Sequence, residues 1–216
     1  QKNNANIEKF NIKYKKIFLE YLKNHKDKSI DIPNLFSSEL YKELYPDMHN
    51  EQINTLVHYL KHGQKEGRIG YLDLDRYTKK GNLEFDATKE TVVFVSHESS
   101  ASGAPLLGFG IADALVKKYN IVHIVIKEAN IHEIFFSNCD LMFSNIEKNP
   151  YIYSYLFLKQ LLKERPIKCV MINSIVGYQI MYAAYKLDIP IIFLIHEFAE
   201  YMRPFGTMID AVLHSE

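Results

Sequence analysis

From residue 91 onward, short continuous apolar runs alternate with longer segments of helical periodicity. The apolar runs are Thr91–Ser96, Ile121–Ile126, Lys168–Asn173 and Ile189–Ile195, and the helical segments are Ala104–Tyr119, Tyr151–Glu164 and Val176–Leu187. Such short runs indicate strands buried on both faces, and strands that alternate with helices indicate βαβ units. The pattern therefore predicts an α/β domain with a parallel sheet and helices on both faces. Residues 127–149 follow neither period, and Ala211–His214 is consistent with one more strand.

Residues 1–30 have the pattern of an amphipathic helix. Its apolar positions recur three and four residues apart, at Ile7, Phe10, Tyr14, Ile17, Phe18, Tyr21 and Leu22. Its opposite face carries Lys9, Lys13, Lys16 and Lys23. Such a helix packs on the rest of the protein or on a second copy, and a basic amphipathic helix also binds anionic membranes. Both interpretations stay open.

Residues 31–82 predict a small helical module. Ser37 is suited to cap a short helix that Pro46 ends, and Glu51–His62 has the apolar period of a second helix, with Gly63 at the C′ position. Two helices of this length cannot bury a large core alone, so we expect the module to dock on a neighbour. The predicted organisation is a helix at 1–30, the module at 31–82, a linker at 83–90 and the α/β domain at 91–216.

The composition is that of an average globular protein and narrows the function only slightly. Of 216 residues, 47% are hydrophobic and 24% are charged, and the formal net charge is zero. No global charge favours nucleic acid, no apolar run is long enough to span a bilayer, and no secretory signal is visible. The two cysteines, Cys139 and Cys169, lack metal-ligand or redox-motif spacing, so we expect both to be reduced and buried in a cytoplasmic protein.

Polar residues follow three of the predicted strands. They are the segments Ser96–Pro105, Asn173-Ser174 and His196-Glu197-Phe198. Because ligands of open parallel sheets bind beyond the carboxyl ends of the strands, we expect these groups to gather at one binding edge. His97 and His196 are the candidates for donating to a hydroxyl or phosphate or for acting as a general base. Histidines satisfied by backbone groups are the alternative interpretation.

Two glycine-containing segments are candidates for phosphate binding. The loop Ser99–Gly103 leads into a predicted helix N-terminus, where unbonded amides attract phosphate or carboxylate. Small residues before a helix are also ordinary turn chemistry, and the spacing does not separate the two. Gly108-Phe109-Gly110 lacks the third glycine of a dinucleotide fingerprint and lies inside a predicted helix, which favours chance or close helix packing.

No metal site is expected from the histidine spacings. In the segment His196–Glu200, Glu200 occupies the position at which a zinc-binding HExxH motif has its second histidine. His58 and His62 lie one helical turn apart, but no third ligand accompanies them. No Ser-His-Asp order or nucleophile elbow indicates a covalent mechanism either.

Four segments together resemble the N-terminal, acceptor-side domain of bacterial family 4 glycosyltransferases. They are Val93–His97, Ser102–Pro105 at the start of a helix, Asn173-Ser174, and Ile191–Phe198. Residues 36–68 are similar to a small helical module that accompanies bacterial surface-polysaccharide glycosyltransferases. The resemblance implies half of a GT-B fold, in which two Rossmann-like domains face each other across a cleft. It also implies transfer from a nucleotide-sugar donor, with retention of the anomeric configuration and without a metal or cofactor.

The resemblance assigns expected roles to individual residues. His196 matches the family histidine near the transferred sugar and is the catalytic candidate. Gly103 and Ala104 lie where backbone amides approach the donor phosphates or the acceptor. The acceptor side would be lined by His97, Asn173, Ser174 and Glu197. The expected partners are the nucleotide-sugar and a glycan, lipid-linked or protein acceptor, at the inner face of the plasma membrane or in the cytoplasm.

The donor-binding half of such an enzyme does not occur in this sequence. The sequence stops at Glu216, about where the second domain is expected, so we expect the chain alone to be inactive. The first alternative is a non-catalytic glycan-binding or assembly module. The second is a flavodoxin-like nucleotide or regulatory domain, for which Glu98 and Glu197 are the acidic candidates near the strand ends.

Overall fold

The computed structural model describes residues 31–49 and 54–196, which form two compact units that divide between Asp73 and Leu74. The helix expected at 1–30 and the strand expected at Ala211–His214 lie outside the described residues. Within the described part, none of the helices is both long enough and apolar enough to cross a bilayer.

The first unit is helical. Helix α1 (Ser38–Leu44) begins where the side chain of Ser37 accepts a hydrogen bond from a first-turn amide, and Pro46 starts a short 3-10 turn after the helix ends. Both features match the sequence prediction. Helix α2 (Thr55–His58) continues into a π turn, Tyr59–Gly63.

Gly63 is required by packing, not by a left-handed helix end. The side chain of Tyr41 is fully buried, and its hydroxyl lies 3.0 Å from Nδ1 of His58. A Cβ on Gly63 would lie 2.2 Å from the Tyr41 hydroxyl oxygen. Because Gly63 has no positive φ, the expected C′ conformation is wrong at this residue. The buried residues around Tyr41 are Phe36, Met48 and Leu56.

In its described residues, 74–196, the second unit is built on one six-stranded sheet in the order β1-β4-β3-β2-β5-β6. Its strands are β1 (Thr78–Lys80), β2 (Thr91–Glu98), β3 (Asn120–Lys127), β4 (Leu141–Ser144), β5 (Ile167–Asn173) and β6 (Ile191–Leu194). Only β1 is antiparallel to its neighbour, and the other pairings are parallel. The expected Rossmann-like parallel sheet is therefore confirmed, with β1 as an additional antiparallel edge strand.

Helices cover both faces of this sheet. The connections contain α3 (Gly103–Leu115), α4 (Pro150–Glu164), α5 (Tyr178–Lys186) and a 3-10 segment at His132–Asn138. Successive side chains of a strand point to opposite faces. Met142 belongs to the buried cluster against which residues of α3 pack, whereas the next residue, Phe143, stacks on Phe157 of α4 with ring centroids 4.2 Å apart. The central strands are buried from both sides, which explains their continuous apolar sequence. Cys139 and Cys169 are both free and buried, as expected.

The sheet contains two strands that the sequence pattern did not predict. Strand β4 lies in the unassigned segment 127–149, and β1 consists of three polar residues. Thr78 of β1 pairs with Phe143 of β4. This pairing places β1 in the α/β unit, whereas the predicted helical module extended to residue 82.

Candidate functional site

Asn173 connects the three polar segments that follow strands β2, β5 and β6. It is the last residue of β5, and its side chain is buried. Its Nδ2 donates to the carbonyl oxygen of Ala104 at 2.6 Å, and its Oδ1 lies 2.6 Å from Nε2 of His196. Since Oδ1 can only accept, Nε2 of His196 carries the proton. The neutral ring therefore has its lone pair on Nδ1, an atom able to accept a hydrogen bond.

Strand register and one glycine produce this arrangement. Asn173 is paired with Ser96 of β2 on one side and with Leu194 of β6 on the other, so β6 ends beside it and His196 follows within reach. Gly108 of α3 lies directly against the amide: a Cβ there would be 2.6 Å from Nδ2 of Asn173. The sequence left chance and close packing open for this glycine, and close packing is correct.

Ser174 forms a turn directly after the last residue of β5. Its φ is 120°, which L residues rarely adopt, and its Oγ accepts a hydrogen bond from the amide of Val176. Its own amide donates to the carbonyl of Leu194. This geometry holds the turn that brings β5 and β6 to a common end.

Gly103 is the first residue of α3 and is exposed. The side chain of Ser102, at the N-cap position, makes no capping hydrogen bond, and a Cβ on Gly103 would meet no atom within 4 Å. The first amides of a helix have no acceptor inside the helix. The amides of Gly103 and Ala104 therefore have no acceptor within α3, and the exposed Gly103 lies next in the chain to the residue whose carbonyl Asn173 binds.

His97 is half-buried near the end of β2. Its Nδ1 is buried and finds no hydrogen-bond partner among the described residues, and its Nε2 lies 3.8 Å from a carboxylate oxygen of Glu98. Oγ of the preceding Ser96 is also buried and without a partner in that part of the chain. Buried polar groups are usually hydrogen-bonded, so each of these two atoms can form a hydrogen bond with water or with a ligand. No hydrogen bond joins His97 to Asn173 or His196 within the described residues.

Glu197, the remaining candidate on the acceptor side, lies outside the described residues, as does the rest of the His196–Glu200 segment. Over residues 31–49 and 54–196, no group of three or more His, Cys, Asp or Glu side chains is arranged to hold a metal ion.

A second polar cluster, which the sequence did not predict, lies in the loops that follow β2 and β3. Oγ of Ser99 accepts from the amide of Ala129 at 2.9 Å and lies 3.1 Å from Nδ1 of His132, within hydrogen-bond distance. Nε2 of His132 lies 3.4 Å from a carboxylate oxygen of Glu128. Burial lowers the pKa of His132, and the Glu128 carboxylate opposes that shift. Because Ser99 is fully buried, this contact anchors the loop instead of presenting a nucleophile.

No family model and no curated protein matches this chain. One solved structure, described as the crystal structure of TcCGT1 in complex with UDP, is similar at 10% sequence identity and a TM-score of 0.37. The similarity covers 59% of this chain and 33% of that one, so the chain spans about a third of the length of the structure it matches. A similarity this weak assigns neither a family nor an activity.

Proposed function

We propose that the α/β unit is the acceptor-side part of a retaining, nucleotide-sugar-dependent glycosyltransferase that acts in bacterial cell-surface glycan assembly. One observation carries the proposal: the side chain of Asn173 is hydrogen-bonded to both Ala104 and His196. These residues come from three separate segments, and each segment bears the family resemblance noted in the sequence. Their meeting at the carboxyl edge of a parallel sheet is the position expected for a ligand site.

In this proposal, His196 binds the reacting sugar. The hydrogen bond to Asn173 fixes the orientation and the Nε2–H tautomer of the ring, and the ring contacts the reacting sugar in this orientation. An acceptor hydroxyl attacks the anomeric carbon from the face that the nucleotide leaves. The new C–O bond forms as the bond from that carbon to the phosphate oxygen breaks, and the hydroxyl proton passes to the departing phosphate.

The start of α3 stabilises the negative charge of the leaving nucleotide. The amides of Gly103 and Ala104, at the positive end of the helix dipole, are suited to the charge that develops on the phosphate oxygens. The donor itself is held by a second domain across the cleft. Transfer requires both substrates in near-attack geometry, so this unit alone binds an acceptor without transferring sugar.

The test uses the protein encoded by the whole natural gene. The purified protein is supplied with a panel of radiolabelled nucleotide-sugars and a membrane or glycan extract of the source cells, and the product is examined by NMR for retained anomeric configuration. We expect His196→Ala to lower kcat by about 10²-fold, because it removes one group that contacts the reacting sugar. His49→Ala, an exposed histidine of the first unit, is the matched control and should leave kcat unchanged.

Two outcomes would contradict the proposal. Undiminished transfer by His196→Ala removes that residue from the mechanism. Glycan binding by the whole protein without transfer from any nucleotide-sugar instead supports the non-catalytic, glycan-binding alternative.

A further inference from the structure

A separate cavity of about 330 Å³ opens at the carboxyl edge of the sheet, beside β1, β3 and β4. The wall of the cavity includes Arg76, Tyr77, Lys79, Glu128, Lys148 and Tyr153. Small-molecule sites typically have volumes of about 300–1,000 Å³, so this cavity suits a ligand of monosaccharide size. It lies away from the Asn173–His196 contact, at the other end of the strand order.

Glu128 is held in place on the wall of the cavity. One of its carboxylate oxygens accepts from Oγ of Ser144 at 2.7 Å and lies 3.7 Å from Nζ of Lys79. His132 contacts the same oxygen at 3.4 Å, and its Nε2 completes no hydrogen bond within the described residues although the residue is only 6% exposed. The carboxylate is therefore oriented in advance by three neighbours. A fixed carboxylate accepts hydrogen bonds from sugar hydroxyls without an entropic cost for ordering its own side chain.

The cavity also offers positive charge. Arg76 and Lys148 line it, are exposed, and form no ion pair in the described part of the chain. Lys79 makes a long ion-pair contact of 3.7 Å with Glu128 and lies over the ring of Phe136, 5.9 Å from its centroid. The carboxylates on the same wall are Glu128 and Glu147, so cations outnumber them. Unpaired cations next to an oriented carboxylate suit a ligand that combines hydroxyl groups with a negative charge.

Two tyrosines supply the apolar part of the wall. The rings of Tyr77 and Tyr153 meet edge to face, with centroids 5.1 Å apart. Burial raises the pKa of Tyr153 to about 12, so its hydroxyl stays protonated and neutral at physiological pH. An aromatic face provides contact area for the C–H side of a pyranose, and a neutral hydroxyl can bind its oxygens.

We propose that this cavity binds a pyranose bearing one anionic substituent, a phosphate or a carboxylate. Sugar hydroxyls bind Glu128, the anionic group binds Arg76 and Lys148, and the ring lies against Tyr77. As a binding site, the cavity stands independently of the proposed reaction. As the acceptor subsite, it rests on the proposed function.

The first experiment measures binding to the complete 216-residue chain by calorimetry and NMR. The probes are glucose 1-phosphate, glucuronic acid, glucose and inorganic phosphate. We expect at least one of the two charged sugars to bind, and both glucose and inorganic phosphate to bind at least tenfold more weakly than that sugar. The better of the two charged probes identifies the anionic group. Absence of binding by both charged sugars, or equal affinity for glucose or for phosphate alone, overturns the inference.

The second experiment locates the site with variants whose fold is checked by thermal unfolding. The double change Arg76→Gln and Lys148→Gln should weaken the charged sugar at least tenfold. Glu128→Gln should also weaken the charged sugar but leave the affinity for inorganic phosphate unchanged. The matched control is Lys163→Gln, an exposed lysine in the last turn of α4 that is not in the cavity wall, and it should bind as the unaltered chain does.

Unchanged binding in the double variant overturns the assignment of the cavity. The two proposals also fail separately. Binding without transfer by the protein from the whole gene contradicts the glycosyltransferase but leaves the site. Transfer without any charged-sugar binding contradicts the site but leaves the glycosyltransferase.

Discussion

The side-chain oxygen of Asn173 accepts a hydrogen bond from Nε2 of His196 over 2.6 Å, while the amide nitrogen of the same side chain donates to Ala104. Asparagine is suited to this position because one planar group supplies both a donor and an acceptor. A carboxylate would face the Ala104 carbonyl with a second acceptor. Asn173 therefore positions His196 and ties the end of β5 to the start of α3.

Replacement of Asn173 by alanine should release the His196 ring. We expect the ¹⁵N shifts of neutral His196 to report the Nε2–H tautomer in the unaltered chain and a mixture of tautomers in Asn173→Ala. The free energy of unfolding should fall by about 1–3 kcal/mol, because the part-buried hydrogen bonds of Asn173 to Ala104 and His196 are lost. Gln160→Ala, which removes an exposed amide from α4, is the control and should change stability by less than about 0.5 kcal/mol. A dominant Nδ1–H tautomer in the unaltered chain contradicts the assigned contact.

Two glycines of α3 that are separated by one residue should respond to alanine in opposite directions. A Cβ on Gly108 would lie 2.6 Å from Nδ2 of Asn173 and 2.8 Å from the Phe94 ring, whereas a Cβ on Gly110 meets nothing within 4 Å. We expect Gly108→Ala to destabilise the unit by about 1–3 kcal/mol through overpacking. Gly110→Ala should stabilise it by about 0.5–1 kcal/mol, because alanine is the better helix former. Chemical denaturation measures both, and equal effects would show that α3 does not pack on Asn173 as described.

The strands and the edge of the sheet could be predicted from the sequence, whereas the rotation of α3, which places Gly108 and not Gly110 against the sheet, could not. The apolar runs at β2, β3 and β5 are long and continuous, so the apolar pattern alone predicted these strands. The rule on carboxyl ends then placed Asn173 and His196 at one edge of the sheet, where the structure shows them in contact. Which of Gly108 and Gly110 faces the sheet depends on how the helix is rotated, and an apolar segment with weak periodicity does not fix that rotation.

Strands β1 and β4 could not be predicted from the sequence for a related physical reason. Strand β1 is three polar residues at an edge, and β4 is a four-residue strand within an aperiodic segment, so neither carries a local signal strong enough to read. His132 and Glu128 lie in the same aperiodic segment. The contact of His132 with Ser99 arises because the pairing of β2 with β3 brings together the loops that follow these strands, and no spacing in the sequence indicates this pairing.

The Tyr41–Gly63 contact should show strong non-additivity. Gly63→Ala places a methyl group 2.2 Å from the Tyr41 hydroxyl, and we expect it to lower the stability of the first unit by about 1–3 kcal/mol. Tyr41→Phe should cost about 1 kcal/mol, because it removes the hydrogen bond to His58. The double variant should cost less than the sum, since the missing hydroxyl leaves room for the new methyl group. Additive losses in urea unfolding would show that the two groups do not meet.

The last prediction concerns acid stability and depends on His123 in the centre of the sheet. This residue is fully buried, and its Nε2 lies 2.8 Å from the carbonyl oxygen of the Asn138 side chain. Burial lowers the pKa of His123 from 6.5 to about 4, and the hydrogen bond to Asn138 only partly opposes the shift. Between these two values, the unfolded chain binds a proton that the folded chain does not bind.

The contribution of His123 to the free energy of unfolding should therefore be constant above about pH 6.5. It should decrease as the pH is lowered toward 4, by up to about 3 kcal/mol. Burial also lowers the pKa values of His58 and His132, which adds a slope of the same sign. His123→Gln keeps a donor that can bind Asn138 but does not titrate, so the slope of unfolding free energy against pH should be shallower over this window. His49→Gln, at an exposed histidine, should keep the slope of the unaltered chain. If His123→Gln loses stability with acid as steeply as the unaltered chain does, a group other than the buried imidazole governs acid unfolding.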